Sequence, residues 1–317
     1  MRSCSAKICY LRSVADEKRT EVDWQDLRIF LALGRHGSLS AAARALGVNH
    51  ATIARRLHSL EDSLGEKLVE RRPEGFVLTL AGTHTLAVAG DMDSASHTLG
   101  RAGPDNAPKG LVRINAPPGL THGYLIAKLS TIAAAFPGLD IDLATDVRSI
   151  SLERHEADIA VRIGRPDDGD VIAKPVATIA YGFYATAEMR ERLVAGEEPA
   201  FITFDEADAH LPEAVWLSRR FPRARRPFRA SNQFAQGIAA RSGVGVALLP
   251  HYIGRAESGL RRCDLGPVPA PREVFVVRRR QNARTMPINV VVDHLTRVFR
   301  QDRALFEDKL DQSRSQL

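Results

Sequence analysis

The chain has 317 residues, of which 44% are apolar, 26% are charged and 6% are aromatic, a balance typical of globular proteins with two or three compact units. No stretch approaches the roughly 18 uninterrupted apolar residues that a membrane span requires, so we expect no membrane association. The formal net charge of +6 and the isoelectric point near 9.5 favour a polyanionic partner, although net charge alone is weak evidence for nucleic-acid binding.

Residues 1–22 form a basic tail without the apolar core of a secretory signal, so we predict no export and either a disordered tail or an upstream extension. The three cysteines, Cys4, Cys9 and Cys263, are too few for a disulfide framework and lack metal-ligand spacing. These two observations favour a reducing cytoplasm.

The first predicted helix begins at Asp23, a residue type preferred at helix N-caps. Its apolar positions recur at helical spacing: Trp24, Leu27, Phe30, Leu31 and Gly34. Gly37 can take the positive φ that ends a helix. The folded part of the chain is therefore predicted to start at residue 23.

A second helix follows, with Ser38 or Ser40 as its cap. Its inward positions are small or apolar: Leu39, Ala42, Ala43 and Leu46. Alanines suit these positions because the helices of a helix-turn-helix cross at roughly 90–120° and approach closely. Gly47 makes the turn, and we expect Val48 to fill the space inside it.

The third helix is predicted to begin after Asn49 and to end at Gly65. Its inward residues follow helical spacing: Ile53, Leu57, Leu60 and Leu64. The polar residues of its first two turns then point outward. Because the recognition helix of a helix-turn-helix enters the major groove N-terminus first, these residues would face base edges.

The predicted DNA-contacting set combines these outward residues with the polar helix starts. It comprises Ser38, Ser40, Asn49, His50, Ala51, Thr52, Arg55 and Arg56. Arginine can pair with guanine or phosphate, threonine and histidine can donate to bases or backbone, and a helix start suits phosphate. The alternative is a surface helix with solvated charge, which the alanine-rich helix, glycine turn and polar cap together disfavour.

Residues 66–79 predict a β-hairpin, with two short apolar runs on either side of a turn that contains Pro73 and Gly75. Such a wing would carry Arg71 and Arg72 to phosphates or a minor groove, where they would position the protein. A plain surface hairpin is the alternative, because nearby glutamates dilute the charge.

Residues 23–82 closely resemble the N-terminal winged helix-turn-helix of the LysR-type transcriptional regulators. The resemblance rests on the opening DLRIFLAL, the block GSLSAAARALGV, the helix RRLHSLEDSLG and the wing ending in VLTLAG. This chain departs from the family where Asn49 and His50 stand in place of the frequent Ser followed by Gln or His. Because this change affects base readout, the target sequence cannot be taken from relatives.

Thr79 can cap a further helix that runs to about residue 101. Within it, four residues keep the spacing of a coiled-coil seam: Val88, Met92, Ala95 and Leu99. This pattern predicts a homodimer, whereas the alternative is packing against the chain's own domain. The linker helix of LysR-type proteins pairs two subunits, so the resemblance supports the dimer, with residues 80–108 as linker and hinge.

From residue 109 onward, strand and helix patterns alternate. We predict strands at 111–116, 140–144 and 158–163 and a helix at 124–136, a βαβ progression that implies a parallel sheet with right-handed crossovers. Neither GxGxxG nor GxxxxGK[ST] follows the first strand, so a nucleotide cofactor is not expected. Further predicted elements are strands at 176–185, 200–204, 244–250 and 273–277 and helices at 233–242 and 288–306.

The second half resembles the LysR-type effector domain, a two-lobed fold like that of periplasmic solute-binding proteins. The matching phrases are LVRINAPPGL, AAAFPGLDIDL, EADIAVRIGRP, FYAT and GIAARSGVGVALLP. The resemblance implies two crossings between lobes, near Ala180 and Gly266. The predicted fold class is therefore multidomain α+β and α/β: a winged helix-turn-helix (23–79), a linker helix, and an effector domain (109–317) with lobe I at about 109–180 and 267–300 and lobe II at about 181–266.

The resemblance places a small-molecule site between the lobes. The residues it carries over are Pro118, Gly119, Leu120, Thr121, Thr145, Asp146, Asn232 and Gln233, with Thr203 and Phe204 as weaker candidates. A helix start often binds carboxylates, but Pro117 and Pro118 remove two donors and Asp146 would repel an anion. The charge of the effector therefore stays open. A run of arginines between residues 219 and 229 is interpreted as a solvated, partly disordered loop, and anion or DNA binding is the alternative.

Catalysis is not expected, because HExxH and GxSxG are absent and Cys263 has no activating neighbour in sequence. The leading hypothesis is a cytoplasmic transcription factor without metal or cofactor, whose partners are double-stranded DNA and a small effector of unknown identity. It would read an interrupted palindrome as a dimer, and LysR-type relatives usually form tetramers. The alternatives are a solute-binding or sensor protein whose N-terminal module contacts protein, and a DNA-binding protein with a vestigial cleft.

Overall fold

The structure is a computed structural model, and it describes residues 22–72, 75–97, 107–145, 157–166, 171–280 and 285–308. They form two compact units, one before residue 98 and one from residue 107 onward. The tail before Val22, Leu99 of the predicted seam and Asp146 of the predicted pocket lie outside the described residues. No helix within these ranges is both long and apolar enough to cross a membrane.

The first unit contains four helices and a two-stranded antiparallel sheet among its described residues. In chain order these are α1 (Trp24–His36), α2 (Leu39–Leu46), α3 (His50–Leu64), β1 (Val69–Arg72), β2 (Gly75–Leu78) and α4 (Leu80–Ser96). A side-chain oxygen caps each helix by accepting from a backbone N–H of the first turn, as predicted for Asp23, Asn49 and Thr79. For α2 the cap is Ser38, not Ser40.

Three glycines end the first three helices in the left-handed conformation, with φ between 66° and 69°: Gly37, Gly47 and Gly65. This conformation is strained for residues with a Cβ, so glycine there fixes each helix end. The expectation that Val48 fills the turn is wrong, because Val48 is 38% exposed. The turn closes through the backbone instead, since the Val48 N–H bonds to the carbonyl oxygen of Ala43.

The core of the first unit forms from the inward faces of its helices, with the wing strand packed against them. Its fully buried members include Phe30, Leu31, Ile53, Leu60, Leu68 and Leu86. Gly82 of α4 lies so close to the start of the wing that a Cβ there would come within 1.9 Å of the Leu68 carbonyl oxygen. This close approach fixes α4 against the base of the wing.

In the part of the second unit that the structure describes there are two five-stranded sheets, one in each lobe. Lobe I consists of β3 (Gly110–Ala116), α5 (Pro118–Leu120), a π-helical turn (Thr121–Leu125), α6 (Ile126–Ala135), β4 (Leu139–Thr145), β5 (Ile159–Ile163), β6 (Val171–Ile179), β12 (Arg272–Arg279), α11 (Met286–Gln301) and α12 (Arg303–Phe306). Lobe II consists of β7 (Tyr181–Ala185), α7 (Ala187–Val194), β8 (Phe201–Thr203), α8 (Pro212–Arg220), β9 (Phe228–Arg229), α9 (Gln233–Arg241), β10 (Val246–Pro250), α10 (His251–Gly254) and β11 (Arg261–Cys263).

The sheet of lobe I has the strand order β4-β3-β5-β12-β6 and is mixed, so the prediction of a parallel sheet is only partly right. Strand β3 is parallel to β4 and β5, as a βαβ progression requires. Strand β12 is antiparallel to both of its neighbours. The physical reason is that β6 carries the chain out of lobe I and β12 brings it back, so the two adjacent strands run in opposite directions.

The predicted strand at 176–185 is in fact two strands in different sheets, since β6 belongs to lobe I and β7 to lobe II. The chain first passes from one sheet to the other at Ala180, between β6 and β7. The second crossing lies between β11 and β12 and contains Gly266, whose φ is 89°. The sheet of lobe II has the order β11-β7-β10-β8-β9.

Two further segments differ from their predictions. The helix predicted from residue 124 begins at Pro118, because proline is well accommodated at the first helical position, where its missing N–H has no partner to lose. The arginine-rich segment at 219–229 is not a disordered loop. It forms the end of α8, a turn and β9, and the Phe201 N–H bonds to the Arg225 carbonyl oxygen.

The C-terminal helix α12 fastens the two lobes together beside the first crossing. The Ala180 N–H bonds to the Phe306 carbonyl oxygen at 2.9 Å, and the His251 N–H bonds to the Ala180 carbonyl oxygen at 3.0 Å. Arg255 of lobe II donates to the carbonyl oxygens of Ala304 and Glu307 at 2.9 and 2.8 Å. The end of the described chain therefore holds the hinge region through backbone groups.

Candidate functional site

The start of α3 presents a polar surface whose geometry depends on Asn49. The Asn49 Oδ1 atom accepts hydrogen bonds from the Thr52 N–H at 2.8 Å and from the Thr52 hydroxyl at 3.1 Å. Ile53 and Leu57 are buried, so His50 and Ala51 are exposed at the helix start. The positive end of the helix dipole lies at this same surface, which suits an anionic ligand such as phosphate.

The two arginines of α3 have different environments. Arg55 is exposed and makes no hydrogen bond or ion pair with a described residue. Arg56 differs from its prediction as an outward reader, because its Nη1 atom lies 3.0 Å from Asp26 Oδ1 and 3.1 Å from Asp23 Oδ2. The hydrogen bond and charge of Asp26 raise the pKa of Arg56. Arg56 therefore joins α3 to the start of α1.

The serines at the start of α2 also separate into two roles. The Ser38 Oγ atom accepts from the Ala41 N–H at 3.2 Å, so it serves as the helix cap. Ser40 is exposed and leaves its hydroxyl on the surface. Ser40 therefore stays a predicted phosphate contact, while Ser38 caps the helix.

The wing pairs Val69 with Leu78 and Arg72 with Gly75. Arg72 is exposed, with its Nη2 atom 3.7 Å from Glu70, whereas the side chain of Arg71 lies outside the described set. Two arginines thus stand on β1 next to the turn. The wing as a whole can follow a phosphate backbone.

Glu61 is a residue that the sequence reasoning missed. Its buried carboxylate accepts from the Leu68 N–H at 2.9 Å and from Lys67 Nζ at 2.6 Å. Burial opposes its ionisation, but these bonds outweigh burial and lower its pKa. Glu61 therefore fixes the wing relative to α3, and only the apolar positions around it in sequence indicated that it faces inward.

Helix α4 has one buried face and one exposed apolar stripe. Leu86 and Ala89 are buried in the first unit, whereas Val88 and Met92 are each 43% exposed and Ala95 is exposed. The three described seam residues therefore do not pack into their own unit. An apolar stripe of this kind is what a second helix would cover.

Between the two lobes lies a cavity of about 270 Å³. Its described lining residues are Pro117, Pro118, Gly119, Arg162, Ile163, Phe204, Leu211, Pro212, Glu213, Ser231, Asn232, Gln233 and Arg272. Five of the predicted effector residues are among them: Pro118, Gly119, Phe204, Asn232 and Gln233. The volume lies just below the roughly 300–1,000 Å³ of typical ligand pockets, so the cavity suits a small metabolite.

Of the other predicted effector residues, the four that the structure describes do not line this cavity. Leu120 and Thr121 are fully buried, because the helix that starts at Pro118 turns them into the core. Thr145 is exposed at the end of β4, an edge strand. The Thr203 hydroxyl donates to the Phe204 carbonyl oxygen, and Thr203 lines a smaller hollow on lobe II.

The lobes approach closely at Gly119. A Cβ at this position would lie 3.0 Å from the Gln233 Oε1 atom of the opposite lobe. Asn232 caps α9 by accepting from the Ala235 N–H at 3.0 Å. The helix cap at Asn232 and the small size of Gly119 therefore place the side-chain amides of Asn232 and Gln233 at the cavity, where α9 begins.

Three charged residues of the cavity were not predicted. Arg162 and Arg272 come from lobe I, and Glu213 comes from the first turn of α8 in lobe II. Arg162 donates to Asn115 Oδ1 at 2.6 Å, and Arg272 donates to Glu213 Oε1 at 2.9 Å. The one signal in sequence is Arg162 itself, a charge inside the otherwise apolar strand IAVRI.

Tyr181 completes this charged group from beneath Glu213. Its hydroxyl donates to Glu213 Oε1 at 2.5 Å, and the ring is almost fully buried. Burial and the neighbouring carboxylate raise the pKa of Tyr181, so the hydroxyl stays protonated and donates. Among the described residues, no group of three or more His, Cys, Asp or Glu side chains has the arrangement of a metal site.

The first unit is a winged helix-turn-helix with an exposed polar third helix, and the second is a two-lobed α/β unit with a cavity between its lobes. This combination defines the class of effector-controlled, DNA-binding transcriptional regulators. Residues 24–83 match the family described as bacterial regulatory helix-turn-helix protein, lysR family, and residues 105–300 match the LysR substrate binding domain. The chain therefore belongs to the LysR-type transcriptional regulators, which bind DNA and small-molecule effectors and form oligomers.

Relatives of similar length are transcriptional regulators. The Mau operon transcriptional activator of Paracoccus denitrificans is 28% identical over 262 residues, which cover 81% of this chain and 89% of that protein. The transcriptional regulator PtxR of Pseudomonas aeruginosa is 26% identical over 257 residues, covering 76% and 80%.

Solved structures share the fold at lower identity. ArgP from Mycobacterium tuberculosis superposes with a TM-score of 0.59 at 19% identity, covering 86% of this chain and 96% of that one. The full-length regulator LysG from Corynebacterium glutamicum, with bound effector Arg, gives a TM-score of 0.58 at 19% identity, covering 88% and 98%.

Proposed function

We propose that two copies of this chain read an interrupted palindrome in double-stranded DNA through their α3 helices, in the cytoplasm, as a dimer or a dimer of dimers. The observation that carries this proposal is the start of α3, where the Asn49 cap and the buried Ile53 leave His50, Ala51 and Arg55 exposed together. Arg55 makes no hydrogen bond or ion pair with another described residue, so its guanidinium is available to a base or phosphate.

The proposed control is by a small effector in the cavity between the lobes. Binding there would change lobe closure and hence the spacing of the DNA-binding heads, because a ligand shifts a conformational equilibrium by its difference in affinity for the two states. The cavity's polar amides on one lobe and guanidinium groups on the other support a ligand that bonds both lobes. No catalytic step is part of this proposal.

DNA footprinting on the region upstream of the gene that encodes this protein tests the recognition surface. Arg55→Ala is expected to weaken specific binding about tenfold or more, since a base contact by arginine contributes roughly 1–3 kcal/mol. The matched control is Arg300→Ala, which removes an exposed arginine from α11 in the second unit. Thr52→Ala is a second variant at the same surface.

Unchanged footprints in both Arg55→Ala and Thr52→Ala would contradict the assignment of α3. If this chain gave no DNA footprint and its N-terminal unit bound another protein, the sensor hypothesis would be supported instead. A DNA footprint without any ligand-induced rise in melting temperature would indicate that the cleft has lost its ligand.

A further inference from the structure

The cavity between the lobes carries opposite charges on its two walls. Arg162 and Arg272 line it from lobe I, and Glu213 lines it from lobe II. The other lining residues include the apolar Pro117, Pro118 and Ile163 on lobe I and Leu211 and Pro212 on lobe II, and the uncharged polar Ser231, Asn232 and Gln233 on lobe II. A ligand that fills this space therefore meets guanidinium groups on lobe I, polar side chains on lobe II and apolar residues on both lobes.

Arg272 connects the lobes through a single side chain. Its Nη2 atom donates to the Ile163 carbonyl oxygen of its own lobe at 3.1 Å, and its Nη1 atom donates to Glu213 Oε1 of lobe II at 2.9 Å. The side chain is 30% exposed, so solvent reaches the guanidinium from the cavity. Because Ile163 holds the guanidinium on lobe I, only the bond to Glu213 depends on how the lobes are placed.

Glu213 occupies the position at Arg272 that the carboxylate of a ligand would take. Its side chain is only 5% exposed, and its Oε1 atom also accepts the Tyr181 hydroxyl at 2.5 Å. A carboxylate this buried needs partners, and the first turn of α8 and Tyr181 remain with it if Arg272 is withdrawn. Glu213 can therefore release Arg272 without losing every partner.

We infer that the effector is a small carboxylate with a short apolar stem, which bonds to Arg272 in competition with Glu213. The ion pair between Arg272 and Glu213 then acts as a latch between the lobes, and ligand binding and the latch exclude each other. This inference rests on the proposed effector site and specifies its ligand class and its regulation. Arginine favours such a ligand because its planar donors match a carboxylate.

Isothermal titration calorimetry of the full-length protein tests the inference with pairs of small ligands, each pair a carboxylate and the amide of the same shape. The pairs are butyrate with butyramide and phenylacetate with phenylacetamide, titrated at constant ionic strength to about 50 mM, because fragments of so few atoms bind weakly. We expect the carboxylate of each pair to bind at least tenfold more tightly than its amide. Inorganic phosphate is the comparison anion, and phosphate binding that exceeds both carboxylates would overturn the assigned ligand class.

Variants then separate the latch from simple charge attraction. Arg272→Gln is expected to weaken carboxylate binding at least tenfold and to abolish discrimination against the amide, whereas Glu213→Gln is expected to tighten carboxylate binding about tenfold by removing the competitor. The matched controls are Arg241→Gln and Glu257→Gln, which break an ion pair of 2.9 Å outside the cavity and should change neither affinity.

Equal binding of carboxylate and amide to the wild-type chain would overturn the inference without any variant, and so would the absence of binding by every probe. Glu213→Gln that weakens the carboxylate as much as Arg272→Gln does would show that there is no competition. The DNA footprint measured without ligand distinguishes these outcomes from failure of the proposed function, because it tests α3 independently of the cavity.

Discussion

Arg55 and Arg56 are neighbours in sequence, yet their surroundings give them different roles. Arg56 pairs with Asp26 of α1 and with its cap Asp23, while Arg55 makes no hydrogen bond or ion pair within the described chain. Substituting Arg56 would thus disturb the packing of the helix-turn-helix, and substituting Arg55 would remove a surface group. Binding data on Arg56 variants therefore require a parallel measurement of folding.

His251 links the stability of the second unit to pH. It is fully buried, its Nδ1 atom lies 2.8 Å from the Tyr184 hydroxyl and its Nε2 atom lies 3.2 Å from Asp308. Burial and the charge of Arg255 lower its pKa from 6.5 to about 4, against the opposing charge of Asp308. The unfolded chain therefore binds more protons at His251 than the folded chain between these two pH values.

We expect the free energy of unfolding of the second unit to fall as pH decreases from about 6.5 towards 4, by up to about 3 kcal/mol from this residue. Urea denaturation of the wild type, His251→Gln and the exposed control His210→Gln, at several pH values, measures this contribution. The difference between wild type and His251→Gln should shrink as the pH falls. A difference that is constant over this range would contradict the assignment.

At the scale of elements, helix α4 has one face packed against its own unit and another face exposed to solvent. Leu86, Ala89 and the buried Asp93, which pairs with Arg35 at 2.8 Å, fix the inner face. Val88 and Met92 form an exposed apolar stripe on the outer face. Two exposed apolar stripes at coiled-coil spacing are stabilised when they pack against each other and leave water. We therefore propose that α4 joins two chains.

We expect Met92→Glu to weaken self-association at least tenfold, since it places a charge where two apolar seams would meet. Sedimentation equilibrium over a range of protein concentrations measures this change. Thr83→Glu adds the same charge at an exposed position of α4 outside the stripe and should leave association unchanged. An unaltered association constant for Met92→Glu would exclude α4 as the main contact.

At the scale of the whole molecule, DNA binding is expected to depend strongly on salt. Each phosphate neutralised by the protein lowers the logarithmic slope of affinity against salt by about 0.9, so a dimer with two wings and two α3 helices should give a slope steeper than about −4. Fluorescence anisotropy with a labelled operator between low and physiological salt measures the slope. A slope near zero would contradict phosphate recognition and favour a protein partner.

Much of the fold was predictable because its determinants are local. The capping side chains Asp23, Asn49 and Thr79 act on backbone groups two or three residues away, and the glycines that end helices act through their own φ. Strand β12 was placed correctly in sequence, but its antiparallel pairing was not predicted. The pairing depends on the return of the chain from lobe II, which no local pattern encodes.

The sequence by itself determined the helices of the DNA-binding unit and their buried faces, because apolar periodicity and caps act over a few residues. The two-lobed course of the second unit was expected only from the resemblance to the LysR-type effector domain. Only the tertiary structure decided which charges meet. Arg56 pairs with Asp26 across 30 residues and Arg272 with Glu213 across 59, and such pairs form when the fold brings distant residues together. That is why Arg162, Arg272 and Glu213 of the cavity were absent from the sequence-based prediction.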